Sequence, residues 1–165
     1  DEIQRLLNLH NTKTGPYNFD IRVDKNNNVF FIEMGARNGG NLIPRITKYA
    51  TGVDLIEYTI KAALGEDCSD LKMVQPKGYW SCYTINSQKN GVFKGIEMDS
   101  EFERNNVVEY ELFAKPGDSI FAFTGSDKRL GLMVLKYNSM EEMLGKMNNM
   151  TNWVKVSVED SPVKM

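Results

Sequence analysis

Residues 17–54 read YNFDIRVDKNNNVFFIEMGARNGGNLIPRITKYATGVD, and their periodicity decides the fold. Phe19, Ile21 and Val23 alternate with Asp20, Arg22 and Asp24. After Lys25-Asn26-Asn27-Asn28, the residues Phe30, Ile32 and Met34 alternate with Val29, Phe31 and Glu33. Alternation of this kind predicts two half-buried strands joined as a hairpin. With residues 25–28 as the loop, Asp24 stands opposite Val29, Ile21 opposite Ile32, and Asp20 opposite Glu33. The apolar side chains then share one face, while Asp20 and Glu33 share the other with β-carbons about 4.5–5.5 Å apart. Like charges directly opposite repel, so the pair calls for something positive between them. A hard divalent cation suits it: Mg²⁺ takes one or two protein carboxylates and completes its octahedron with water and phosphate oxygens. The plainer alternative is two solvated carboxylates on an exposed face. Against it stands the strongly apolar other side of the second strand, which runs straight into Gly35-Ala36-Arg37-Asn38-Gly39-Gly40.

The segment resembles the ATP-grasp superfamily, in which an acidic strand turns into a strand ending Ile-Glu-x-Asn-x-Arg. Glycines, a Pro and an Ala-Thr-Gly-Val-Asp-Leu helix start then follow. The matching positions are Asp20, Ile32-Glu33-Met34-Gly35-Ala36-Arg37, Gly39-Gly40, Pro44 and Ala50-Thr51-Gly52-Val53-Asp54-Leu55. One position departs: the Asn two residues after the Glu, a third metal ligand in the family, is Gly35 here. The second metal position then lacks its oxygen unless Asn38 or water supplies one. The resemblance implies an α+β fold, the C-terminal part of an ATP-grasp domain, and a ligase that activates a carboxylate with ATP as an acyl phosphate for attack by an amine. In that scheme Asp20 and Glu33 hold Mg²⁺ (or Mn²⁺) against the phosphates, and Arg37 steadies the transferring phosphoryl group with its planar fork. Asn38, Gly39 and Gly40 are placed at the nucleotide phosphates, the glycines giving the backbone close approach with amides free for an anion. A surface arginine and a plain strand-to-helix turn are the corresponding structural alternatives.

Outward from this segment, the first part of the chain, residues 1–75, reads as an amphipathic helix carrying Ile3, Leu6, Leu7 and Leu9, then the hairpin, a helix opened by Pro44, and a longer helix ending at Gly65. Pro76-Lys77-Gly78 marks a boundary. Residues 76–165 read as a small strand-rich α+β subdomain: strands over 78–85, 92–98, 107–114 and 130–137, a helix capped by Ser139 with Glu142 closing a capping box, and a last strand over 153–158. Met140, Met143, Leu144 and Met147 lie at helical spacing as core filler. Ser126-Asp127-Lys128-Arg129-Leu130-Gly131 through the Ser139 helix is similar to the C-terminal element of biotin carboxylases and amino-acid ligases of the ATP-grasp group.

Composition bounds the function. A hydrophobic content of 41% over 165 residues is enough to build a core, and a net charge of −2 gives no basic footprint for nucleic acid. No apolar run nears the length of a membrane span and no signal peptide is visible, so a soluble cytoplasmic protein is expected. Cys68 and Cys82 lack metal or redox spacing and read as free thiols. His10, the only histidine, has no Ser or Cys partner nearby, which leaves a triad hydrolase without support. Only 16 residues precede the hairpin, too few for the substrate domain and lysine-bearing lid of a complete ATP-grasp enzyme. The sequence therefore reads as a C-terminal fragment or split subunit, needing an N-terminal ATP-grasp portion in the same or a separate chain, with small-molecule carboxylate and amine substrates. A homo-oligomer is compatible with it. A binding or regulatory module that keeps the scaffold without the chemistry is the alternative, prompted by Gly35.

Overall fold

The computed structural model describes residues 2–160, and the chain divides between Gln75 and Pro76 into two compact units. The fold is mixed α and β with antiparallel sheets, as the α+β expectation holds.

In the first unit the elements follow in the order α1 (Glu2–Leu9), β1 (Asn18–Val23), β2 (Val29–Gly35), α2 (Ile43–Thr51) and α3 (Leu55–Leu64). Helix α1 ends where Asn11 takes a left-handed conformation (φ 49°), which turns the chain so that the Thr12 amide and hydroxyl both donate to the Leu7 carbonyl. Pro44 sits in the first turn of α2, where its missing N–H costs nothing, and Gly52 closes that helix at φ 81°. Asp54 is the cap of α3, accepting from the amides of Ile56 and Glu57, while Gly65 terminates the helix at φ 75°.

The hairpin differs from the sequence reading in its register near the turn. Val23 pairs with Val29 and Ile21 with Phe31, so the connection spans residues 24–28 rather than 25–28. The cause is Asp24, whose carboxylate accepts hydrogen bonds from the amides of Asn26 (2.7 Å) and Asn28 (2.9 Å) and from the Asn28 side chain (2.8 Å). These bonds make Asp24 part of the turn and hold its carboxyl below the usual carboxylate range, the Asn28 side chain acting most strongly. A bulge between Asp20 and Ile21 then takes up the offset: Ile32 is the extra residue of β2, and beyond it Asp20 pairs with Glu33, as the sequence predicts. The single shared apolar face is corrected accordingly. Val29 and Phe31 oppose Val23 and Ile21, whereas Phe30 stands opposite Arg22.

The second unit contains β3 (Tyr79–Ile85), β4 (Gly91–Met98), α4 (Ser100–Asn106), β5 (Val107–Leu112), β6 (Ser119–Ile120), β7 (Gly131–Tyr137), α5 (Met140–Met147) and β8 (Val154–Glu159). They form two three-stranded sheets, in the orders β3-β7-β5 and β6-β4-β8. The central strand β7 is buried from Gly131 to Leu135, which is why it reads as a continuous apolar run rather than an alternating one. Ile85, Phe93, Phe102, Met133, Leu135 and Met150 meet in the core, where Phe102 stacks on Trp153 at 5.8 Å. Met143 and Met147 pack against it as expected of core filler, while Met140 and Leu144 remain exposed. Glu142 closes its cap one residue further out than a capping box would: its amide donates to Ser139 Oγ, but its carboxylate accepts from the Asn138 amide. Both cysteines are free, and no helix among the described residues is long and apolar enough to cross a membrane.

Candidate functional site

The candidate residues lie on the hairpin and on the turn that leaves it. Asp20 and Glu33 are cross-strand partners and both are exposed. A one-residue slip would send their side chains to opposite faces, so the bulge at Ile32 is what brings them together despite the longer turn. Arg22, two residues along β1, projects from the same face by strand alternation and forms no ion pair with either carboxylate. Among the described residues no group of three or more His, Cys, Asp or Glu side chains gathers at one place. The donor set on this face is therefore a pair of carboxylates. That set fits Mg²⁺, which uses one or two carboxylates and fills its remaining positions with water and phosphate oxygens.

Past Glu33 the chain turns tightly. The Arg37 amide donates to the Gly35 carbonyl at 2.9 Å, and the Arg37 Nη1 donates to the Asn38 carbonyl at 2.9 Å. The Arg37 side chain folds back over Gly35, where a β-carbon would touch Arg37 Cγ at 3.6 Å and Nε at 3.7 Å. A larger residue at 35 would thus contact the guanidinium stem directly. Asn38 is half-buried and gives its amide nitrogen to Thr59 Oγ1 on α3 at 2.7 Å, a hydrogen bond that ties the turn to the helix. Thr59 in turn donates to the Leu55 carbonyl.

The two glycines have different surroundings. A β-carbon on Gly39 would meet Ile43 Cδ1 at 2.9 Å and Asn18 Oδ1 at 3.1 Å, whereas one on Gly40 would meet nothing within 4 Å. Packing accounts for the first; an open backbone remains at the second. Beside the turn lies a cavity of about 310 Å³ bordered by Asn18, Asn38, Gly39, Ile43, Tyr58 and Thr59.

Asp54, which lies at a helix start in the sequence, has a second role besides capping α3. Lys48 Nζ reaches its carboxylate at 2.6 Å, bridging the end of α2 to the cap of α3. That hydrogen bond lowers the Asp54 pKa and raises that of Lys48. A Lys six residues before an Asp is not a motif in itself, and only the Gly52 turn between the helices brings them together. Asn18 and Thr59 were likewise invisible, since each supports the turn from a distant element. His10 is exposed.

No family model matches the sequence. The uncharacterised protein y4rH of Sinorhizobium fredii is 28% identical over 135 residues, which are 81% of this chain and 28% of that protein. Among solved structures, the L-amino acid ligase from Bacillus licheniformis superposes with a TM-score of 0.80 at 23% identity, over 96% of this chain and 40% of its own. Phosphoribosylglycinamide synthetase from Anaerococcus prevotii gives 0.76 at 20% identity with the same coverage of both chains. The biotin carboxylase domain of Hydrogenobacter thermophilus 2-oxoglutarate carboxylase, a complex with MgADP and bicarbonate, gives 0.61 at 19% identity over 86% of this chain and 32% of that one. The chain thus spans well under half the length of each. At these identities the likeness is one of fold, shared with part of each of these proteins.

Proposed function

We propose that this chain is the phosphate-side portion of an ATP-dependent carboxylate ligase. The observation that carries the reading is the pairing of Asp20 with Glu33, followed at once by Arg37 and the open backbone at Gly40. In this scheme a substrate carboxylate oxygen attacks the γ-phosphorus of ATP and ADP leaves. An amine then attacks the acyl carbon and inorganic phosphate leaves. Such transfers are catalysed mainly by positioning and by stabilising charge rather than by acid or base groups. Asp20 and Glu33 would hold Mg²⁺ or Mn²⁺, which when bound neutralises phosphate charge. Arg37 offers a fork of N–H donors to the oxygens of the transferring group, and its bond to the Asn38 carbonyl orients that fork. A β-carbon on Gly40 would meet nothing within 4 Å, which leaves room for an anion to approach the backbone there. Asn38 and Gly39 shape the turn, and ATP is the cofactor. The remaining wall of the cleft, with the groups that choose the carboxylate and amine, belongs to an N-terminal portion in the same or a partner chain, and the assembly works in the cytoplasm.

Gly35 favours a second reading. It stands where the family has a metal-binding Asn, and no third protein ligand is gathered at the pair among the described residues. A scaffold that binds nucleotide or a partner without turnover would show the same surface.

Asp20→Asn and Glu33→Gln distinguish these. In the protein with its completing portion present, each substitution should remove nucleotide-dependent Mn²⁺ binding, read by electron paramagnetic resonance, and reduce turnover by roughly 100- to 1000-fold. Wild-type metal binding in both variants would return the pair to an ordinary solvated surface. Metal binding without turnover in the parent protein would favour the second reading.

A further inference from the structure

Each sheet of the second unit ends in a strand with one free edge. Among the described residues β3 pairs only with β7, and β8 only with β4. Among the described residues no backbone group of β8 bonds to a strand other than β4. A cavity of about 390 Å³ opens along β8, touching Val154, Val156 and Val158 as well as Lys155. Alternate residues of a strand point to opposite faces, so a cavity that meets both sets borders the strand's edge. Its other side is formed by Tyr83 of β3 and the turn at residues 86–89.

The charge of this slot is one-sided. Lys89 and Lys155 line it, and neither forms an ion pair among the described residues, although Lys155 stands opposite Glu97 in the β4–β8 register. The floor is apolar valine, and burial pushes the Tyr83 hydroxyl pKa up. Unpaired N–H and C=O groups along an edge, an apolar valine floor beside it, and two lysines without an ion-pair partner among the described residues describe a site for an added strand. We propose that this slot receives an extended peptide segment carrying carboxylates, which pairs with the outer edge of β8 and meets Lys89 and Lys155 through its acidic side chains. A lysine on an edge strand also serves to discourage pairing. That alternative gives a cation at the edge but no reason for a cavity beside it.

The test uses the isotopically labelled 165-residue chain and a blocked hexapeptide of alternating Val and Glu. Saturable amide shifts on β8 and around Tyr83, with slowed exchange of outward β8 amides, are expected at roughly sub-millimolar peptide. The double variant Lys89→Gln, Lys155→Gln, which puts no new carboxylate opposite Glu97, should weaken binding at least tenfold, and Lys155→Gln alone by a smaller factor, with thermal midpoints unchanged. A peptide with a central proline, which lacks the N–H the edge needs, should not bind. Absence of shifts at millimolar peptide would overturn the proposal and leave Lys155 as an edge guard. Equal binding of the proline peptide would also overturn it, as would the same shifts with succinate alone, which would make the slot a small-anion site.

Discussion

Gly39 and Gly40 are neighbours with separate reasons to lack a side chain. At Gly39 a methyl group would press on Ile43 and Asn18, two residues that join the turn to α2 and β1; at Gly40 it would project into open space. Gly39→Ala should therefore destabilise the chain by about 1 kcal/mol, a modest cost because the end of the Ile43 side chain can give way. Gly40→Ala should leave the melting midpoint unchanged or slightly raised, through the stiffer unfolded chain, yet impair nucleotide-dependent turnover in the completed protein. Circular-dichroism melting of both variants checks the contrast, and equal losses would show that the two positions share one packing role. Arg37 permits a sharper experiment. Lysine keeps the charge but loses the planar two-pronged donor, so Arg37→Lys should lower kcat/KM by at least tenfold if the fork grips oxygens. Unaltered kinetics would mark Arg37 as a surface arginine whose only task is to brace the turn through Asn38.

At the scale of elements, α5 shows how a short helix is fastened. Glu142 accepts from Lys146 Nζ at 2.7 Å, from the Asn138 amide at 2.8 Å and from the buried Asn106 at 3.1 Å. These bonds, with Lys146 foremost, lower its pKa to about 2. A folded pKa below the unfolded one means that this stabilisation is complete above about pH 4.5 and is lost as pH falls toward 2. Both tryptophans lie in the second unit, so their fluorescence reports its unfolding. The midpoint should drop by several degrees between pH 6 and pH 3, and Glu142→Gln should be less stable at pH 6 by about 1–2 kcal/mol with a flatter acid limb. A parallel acid limb in the variant would place the titration elsewhere. The same scale shows what was legible beforehand. The hairpin, α2, α3, α5 and the long strands announce themselves through alternation, Pro44, the Gly52 and Gly65 stops and the Ser139 cap. The pairing of Asp20 with Glu33 was also legible, but for an incomplete reason: counting from the turn hid a longer connection and a bulge that offset each other. Helix α4 and strand β6 escaped notice because one is seven residues with only Phe102 and Asn106 buried, and the other is two residues long. Neither length carries a periodicity.

For the molecule as a whole, burial is unevenly shared. Among the described residues Ala50 alone represents the first unit among the buried hydrophobic side chains, while Ile21, Val23, Val29, Phe30 and Ile32 on the hairpin are all exposed. A two-stranded sheet covered only around Phe19, Phe31 and Met34 is marginal in water. Hydrogen exchange should therefore be fast in β1 and β2 and slow in β7 and β4, whose residues form the core of the second unit. Comparable protection in both units would show that the first is stabilised by something other than its own packing. The same exposure bears on ligand binding. A nucleotide site gains affinity by enclosing the base in apolar surface and by excluding water from the phosphates, where lowered dielectric strengthens each ionic contact. Asp20 and Glu33 stand on an exposed face of an exposed hairpin, so water competes for every contact they make. The 165-residue chain by itself should accordingly bind Mg·ATP with a Kd of roughly millimolar or weaker, which is worth only about 4 kcal/mol. Adding the completing portion should tighten binding by orders of magnitude, and Asp20→Asn should abolish most of that gain. Titration calorimetry on the chain alone provides the direct measurement. Micromolar affinity there, with hydrolysis, would mean that these residues already build a closed site, and the proposed dependence on a second wall would have to be abandoned.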